Sequence, residues 1–361
     1  MTIFPIISST ANNTVLPQAA KDLLTGDSAH IWYTSPDKNS TFYIDGALKP
    51  WPGIQDGMVL SDGIHGMSPD FKLIDLKSAR QPGVTYTGSL FDVMLIDLNL
   101  EAHGNAAWGV SRVVSEWMGA WHPTKTGVME YITLDGGYWY CKPRLAKTWG
   151  DQWKQHWRTI KTAKLTHNAR VDGSFWLGVP SIDEFAPGSG SGNGFLRLAN
   201  IGEEDAYPTA MFYGPGLFKF SNGPGSTNMI TFGPLLEGQV VVMPLLPRLN
   251  NAIDISAGVP QTLSVEQQTI KSLINWVTNN NVPPLLQQFE SLFGILPPQG
   301  PLMSLLTGRY SNPIPGVAQP EFASLSQIAV SVTETGGSST SKIAMRVDPM
   351  RRWPEALWPD R

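Results

Sequence analysis

The chain is expected to be mainly β, in two domains, with one helix packed on a β-layer of the first. Three observations predict this. Residues Tyr86 to Cys141 run as strand, amphipathic helix and tight hairpin in immediate succession. The length of 361 residues suits two domains of about 100–200 residues each. Short alternating apolar runs bounded by Gly, Pro, Asn and Asp recur in both halves.

In chain order, IWYTS and STFYIDG flank Pro36, Asp37, Lys38 and Asn39, which predicts a hairpin across His30 to Tyr43. Gly46 to Asp70, rich in Gly, Pro and Asp, reads as loops with short strands. Phe91, Val93, Met94, Leu95 and Ile96 make the start of the next strand apolar on both faces. Ile96, Leu98, Leu100 and Ala102 then alternate with Asp97, Asn99 and Glu101, so this strand is expected to enter a core and emerge at a surface. Val110, Val113, Val114, Trp117, Met118 and Trp121 fall at helical spacing, with Asn105 placed to cap the helix and Pro123 closing it. Met129–Leu134 and Tyr138–Cys141 flank Asp135, Gly136 and Gly137, a strong hairpin signal.

Residues 1–145 form the expected first domain, 146–168 a connector and 169–361 the second domain. Trp149, Trp153 and Trp157 are spaced by four, so the connector is a candidate helix. Pro187 to Gly194 reads as a flexible tip. An insertion is expected at about 264–309. There Ser264 with Gln267 forms a capping box ahead of Ile270, Leu273, Ile274 and Val277, and Pro283 with Pro284 opens a second run through Leu285, Leu286, Phe289, Leu292, Phe293 and Leu296. Whether these two helices pair with each other or dock elsewhere stays open. Ile328, Val330 and Val332, then Ile343, Met345 and Val347, predict a last hairpin turning near Gly336 and Gly337.

Composition narrows the function. Charged residues are 16%, below the roughly 25% of ordinary soluble domains, while 30 acidic and 26 basic side chains leave a net charge of −4. Either partners cover much of the surface in an assembly, or the chain is a large β protein with neutral turns. Scattered basic residues and a pI near 5.9 predict no nucleic-acid site. Cys141 is the single cysteine, which rules out an intrachain disulfide or a cysteine metal cluster. The start MTIFPIISSTANN lacks a signal-peptide pattern, and the longest apolar run, near Val240 to Leu246, falls far short of the ~20 residues a bilayer needs. No secretion signal and no membrane segment are expected, and a reducing cytoplasm suits synthesis.

No catalytic, cofactor or metal residue is predicted. The six histidines show no HExxH or other close ligand spacing. GSGSGNG at Gly188–Gly194 departs from both G-x-S-x-G and phosphate-loop patterns, and Glu203, Glu204 and Asp205 occupy a turn that water reaches. The chain is therefore read as not an enzyme. Its 13 tryptophans carry the remaining signal. Trp108, Trp117, Trp121 and Trp139 suit packing, yet the candidate contacts with a partner or glycan are Trp117, Trp121, Trp149, Trp153, Trp353 and Trp358. The tail from Arg351 to Trp358 is placed either to fold back or to grip a neighbour.

A family resemblance joins these elements. GVTYTG at Gly83–Gly88, FDVMLIDLNLEAHG, AWGVSRVVSEWMGAW and MEYITLDGGYWY, in that order, resemble the ring-forming domain of distal tail proteins, minor tail proteins of long-tailed, siphophage-type bacteriophages. Asn200, Gly202, Ala206, Pro208, Gly214, Pro215 and Gly216, followed by GQVVVMPLLPR, are similar to the galectin-like β-sandwich of those proteins, from which the 264–309 insertion departs. Arg351, Arg352, Trp353, Pro354 and Trp358 resemble the ending of minor tail proteins from actinobacterial phages. The resemblance implies a structural protein of the virion tail tip, a ring of six copies joining the tail tube to the tip or baseplate complex. The partners it implies are the tail tube, tape-measure and tail-hub proteins. The alternative task is a carbohydrate-binding sandwich for host-surface glycan.

Overall fold

The computed structural model describes residues 29–247 except 53, 78–81, 134–135, 149–155, 157–158, 160 and 189, and then 252–256, 302, 305–316 and 328–355. It is mainly β, with antiparallel pairing and one long helix among the described residues. Two compact units emerge: residues up to Gly178 together with those from Arg351, and Val179–Met350. The helices expected within 264–296 lie outside the described residues.

In the first unit the strands are β1 (His30–Thr34), β2 (Thr41–Asp45), β3 (Gly57–His65), β4 (Phe71–Leu76), β5 (Thr85–Phe91), β6 (Met94–His103), β7 (Val128–Thr133), β8 (Gly137–Cys141), β9 (Pro143–Leu145), β10 (Thr162–Val171) and β11 (Trp176–Leu177). Helix α1 (Ala107–Gly119) follows β6. One sheet runs β2-β1-β7-β8-β11 and is closed by β22 (Met350–Arg351); a second runs β3-β6-β10-β9; β4 and β5 form a two-stranded sheet of their own. The long strand expected from Phe91 is interrupted. Phe91 ends β5, the Asp92 amide donates to the Asp70 carbonyl (2.8 Å), and β6 begins at Met94 with alternating burial throughout, leaving Leu95 exposed. Residues 162–168, expected in a helical connector, are instead strand β10. They pair with β6 along their whole length, from Thr162 opposite His103 to Val171 opposite Met94, because Ala163, His167, Ala169 and Val171 alternate inward.

The α1 N-terminus lies against a carboxylate from outside the helix. Ala106 holds the N-cap position without a side-chain bond, and the Asn105 amide donates to Asp56 Oδ1 at 2.6 Å while Arg112 donates to Asp56 Oδ2 at 3.2 Å. Asn105 thus contributes its amide, not the expected side-chain cap. Gly109 permits this approach: a Cβ there would stand 2.8 Å from Asp56 Oδ1. A carboxylate at this end also favours the positive pole of the helix dipole.

An aromatic stack fastens α1 to both larger sheets. Tyr33 of β1 stacks on Trp121 at 3.8 Å with planes 4° apart, and Trp121 lies 3.9 Å from His167 of β10. Trp117 meets Tyr33, Phe42 and His167 edge-on. The Tyr33 hydroxyl donates to the Ala120 carbonyl (2.9 Å), and burial pushes its pKa well up.

The second unit is a pair of five-stranded sheets around one core. Its strands are β12 (Ser181–Phe185), β13 (Gly192–Leu198), β14 (Thr209–Tyr213), β15 (Gly216–Ser221), β16 (Met229–Leu235), β17 (Val240–Pro244), β18 (Ile253–Asp254), β19 (Leu306–Thr307), β20 (Ile328–Thr335) and β21 (Lys342–Val347). They are ordered β12-β21-β14-β17-β18 and β13-β20-β15-β16-β19. Phe212, Phe218, Phe220 and Phe232 cluster with Leu196, Val330, Ile343 and Met345 between the sheets. The expected last hairpin is an arch: β20 and β21 lie in opposite sheets, because Val330 and Val332 on one and Ile343, Met345 and Val347 on the other face the shared core. Gly192 to Gly194, expected in a flexible tip, begin β13. The missing side chain of Gly194 makes room for Phe185, whose ring would lie 2.3 Å from a Cβ there.

Burial holds His167 neutral, lowering its pKa from 6.5 to about 3. The unfolded chain therefore takes up this proton first on acidification, so stability falls as pH drops from about 6.5 towards 3, by at most ~1.4 kcal/mol per pH unit from this group. Denaturant unfolding of the wild type and of His167→Phe across that window is expected to show a stability difference that changes in favour of the variant with each step into acid.

Candidate functional site

The six tryptophans singled out from the sequence do not form one surface. Trp117 (0%) and Trp121 (4%) are interior members of the aromatic stack, so neither ring is available to a glycan or a partner. Trp149, Trp153 and Trp358 lie outside the described residues. Trp353 is 41% exposed, on a tail segment that folds back on the first unit.

That return is built from three contacts. The Arg351 guanidinium, itself buried, lies 4.5 Å over the Trp139 ring of β8, a ring held in place by its own Nε1 donating to the Gly136 carbonyl (2.6 Å); Tyr131 of β7 donates its hydroxyl to Glu355; and the Gly136 Cα sits so close to the Pro354 carbonyl that a Cβ would approach to 2.8 Å. Desolvation first, and the Glu355 carboxylate second, push the Tyr131 pKa up. Of the two placements open for this tail, residues 351–355 take the internal one.

Among the described residues of the first unit, the β4–β5 ribbon exposes a run of large apolar side chains. Phe71, Leu73, Ile74, Leu76, Tyr86 and Leu90 stand 44–64% exposed, and every residue of β4 is exposed. A two-stranded ribbon is marginal in water on its own, and among the described residues neither outer edge pairs with another strand. Its root is fixed: Phe91 packs edge-on against Phe175 (5.1 Å), beside Trp176, whose Nε1 donates to the Met67 carbonyl (2.8 Å). Only the ribbon beyond this anchor is out in solvent. The sequence signals a hairpin here, since FKLIDL and TYTGSLF flank Gln81, Pro82 and Gly83, but apolar residues of this kind read as core. Their exposure carried no signal.

Opposite in character is a groove of about 860 Å³ in the second unit. Phe195, 63% exposed, lines it with Pro224, Pro313 and Ile328, and Ser226 and Asn312 supply polar edges. Among the described residues no three His, Cys, Asp or Glu side chains lie together as a metal site would need. Glu203 and Glu204 sit in a turn whose amides donate to the Met350 carbonyl (2.8 and 3.2 Å), which is a structural use of that acidic segment.

No family model and no curated protein matches this chain. Solved structures do. The Dit protein of phage SPP1, described as a paradigm of the hub adsorption apparatus in phages infecting Gram-positive hosts, is 7% identical with a TM-score of 0.46, covering 89% of this chain and 98% of that one. A chain of the phage P2 baseplate in its activated conformation with Ca is 10% identical at a TM-score of 0.46, covering 90% and 99%. The p2 baseplate in its activated conformation with Sr gives 10%, 0.44, 88% and 98%. These neighbours are phage hub and baseplate structures, and likeness at this level assigns no function to the present chain.

Because the Arg351 charge is desolvated against Trp139, Arg351→Ala is expected to lower the stability of the first unit by about 2 kcal/mol in chemical denaturation. Arg352→Ala, at an exposed neighbour, is expected to change it by less than ~0.5 kcal/mol. Equal effects of the two would show that the ring contact contributes nothing.

Proposed function

We propose that this chain is a structural component of a phage tail tip, assembling through its first unit into a ring of six copies that joins the tail tube to the tip or baseplate complex. The observation that carries the reading is the β4–β5 ribbon. Among the described residues it offers six large apolar side chains and two edges without a neighbouring strand, an arrangement suited to burial against another chain. The low charge content fits a surface covered by partners. The sequence resemblance supplies the place of the ring and its neighbours: tail tube protein, tape-measure protein and tail-hub protein. Work of this kind is mechanical and needs no turnover. The protein would be made in the host cytoplasm and end in the virion.

Native mass measurement of the full chain, alone and with the tail tube protein, is expected to show multiples of the 39.5 kDa subunit, with six copies in the closed form. Leu73→Asp with Leu90→Asp is expected to abolish those species while leaving the unfolding free energy within ~0.5 kcal/mol of wild type, since both residues are already exposed. A chain that stays monomeric under both conditions would sink the ring.

A second reading has its own observation. Phe195 presents an exposed ring at a groove with amide and hydroxyl edges, the combination that stacks on and orients a sugar. On a glycan array the full chain would then bind, and Phe195→Ala would bind at least tenfold less; absence of binding by the wild type removes this reading and leaves the ring untouched.

A further inference from the structure

The β2-β1-β7-β8-β11 strands carry one aromatic row on the face turned away from the Tyr33–Trp121 stack, and the strand register sets its order. Tyr43 of β2 stands opposite Trp32 of β1, Trp32 opposite Glu130 of β7, Glu130 opposite Tyr140 of β8, and Tyr140 opposite Leu177 of β11. Tyr138, two residues before Tyr140, shares its side of the strand; the two rings lie 6.1 Å apart, as do those of Trp32 and Tyr43. Side chains in such register stand about 5 Å apart at Cβ, so these groups form one continuous surface. Tyr43 is 37% exposed, and Glu130, Tyr138 and Tyr140 are half-buried.

Glu130, inside the row, is held in place without being neutralised. Trp32 Nε1 donates to its Oε2 and the Tyr138 hydroxyl to its Oε1 (2.6 Å). Both donors are uncharged, and each carboxylate oxygen keeps a second acceptor position. The other charged groups of this sheet are engaged elsewhere: Asp45 pairs with Lys49 (3.1 Å), and Arg351 lies over Trp139, whose side chain takes the opposite face. His30 of β1 accepts the Ala47 amide at Nδ1 (3.3 Å). Lys142, just past β8, lies 6.0 Å over the Tyr140 ring, and among the described residues no basic side chain forms an ion pair with Glu130. A half-buried carboxylate without a counter-charge costs free energy that a cation brought by another molecule would offset. The position of Lys142 shows that the neighbouring ring face already receives a cation.

We propose that this row is a docking site for an arginine side chain of a partner protein, the guanidinium donating to Glu130 while stacking on the Tyr140 ring. Arginine fits because its guanidinium is planar and weakly hydrated, and presents N–H groups to a carboxylate while its face lies on an aromatic ring. Lysine holds its water more strongly, and a quaternary ammonium has no N–H to donate. The site is independent of the ring.

The test titrates hexa-arginine into the full chain by calorimetry, with hexa-lysine and hexa-trimethyl-lysine as rival cations of equal charge. Hexa-arginine is expected to bind, and each rival to bind at least about threefold more weakly. Glu130→Gln is expected to weaken hexa-arginine binding about tenfold, whereas Asp62→Asn, the same charge change at an exposed position on another sheet, leaves it unchanged. Because Glu130 also anchors Trp32 and Tyr138, Tyr140→Leu supplies a second variant that keeps the carboxylate and both donors; a loss of about threefold is expected of it. Equal losses in Asp62→Asn and Glu130→Gln would assign the binding to diffuse charge, equal binding of either rival would assign it to any cation, and no binding would remove the partner. Each of these overturns the arginine site and leaves the ring standing.

Discussion

The first unit depends on one dry aromatic contact. Tyr33 from one sheet and His167 from another close on Trp121 of the segment that ends α1, and Trp117 fills the corner they leave. Three elements with no sequence proximity are thereby held by ring faces, and the geometry tolerates little, because close-packed interiors respond to changes of a single methylene. His167 shows the cost of the site. Its imidazole must stay neutral to remain where it is, so the same contact that joins the sheets makes the unit acid-sensitive.

From that fixed frame the exposed features acquire direction. The stack sets α1 against β3, β6 and β10, Asp56 fixes the start of the helix, and the β3–β6 pair then carries a ribbon at one end and the Arg112-braced Trp108 at the other. A ribbon without its own core has little reason to persist in water unless another surface covers it.

The second unit solves a different problem. Its core is a set of phenylalanines between two sheets, and its glycines are spent on close approach: Gly194 admits Phe185, and Gly337 lies against the carboxyl of Glu334, to which the Ser341 hydroxyl donates. Burial raises the Glu334 pKa despite that hydrogen bond.

Local spacing was enough to place the β1–β2 and β7–β8 hairpins, the α1 helix and the mainly β class, because turn residues and the 2.0 and 3.6 periodicities act over a few residues. It was also enough to identify Trp117 and Trp121 as a bulky helix stripe. What it left undecided is partnership. Whether β20 pairs with β21 or faces it across a core, whether Gly192–Gly194 flex or admit a ring, which carboxylate meets the start of α1, and whether Leu73 and Leu90 are core or coast depend on residues tens to hundreds of positions away. Hydrophobicity is non-directional, so a sequence declares that such side chains will seek cover while only the tertiary structure settles which of them the same chain can cover.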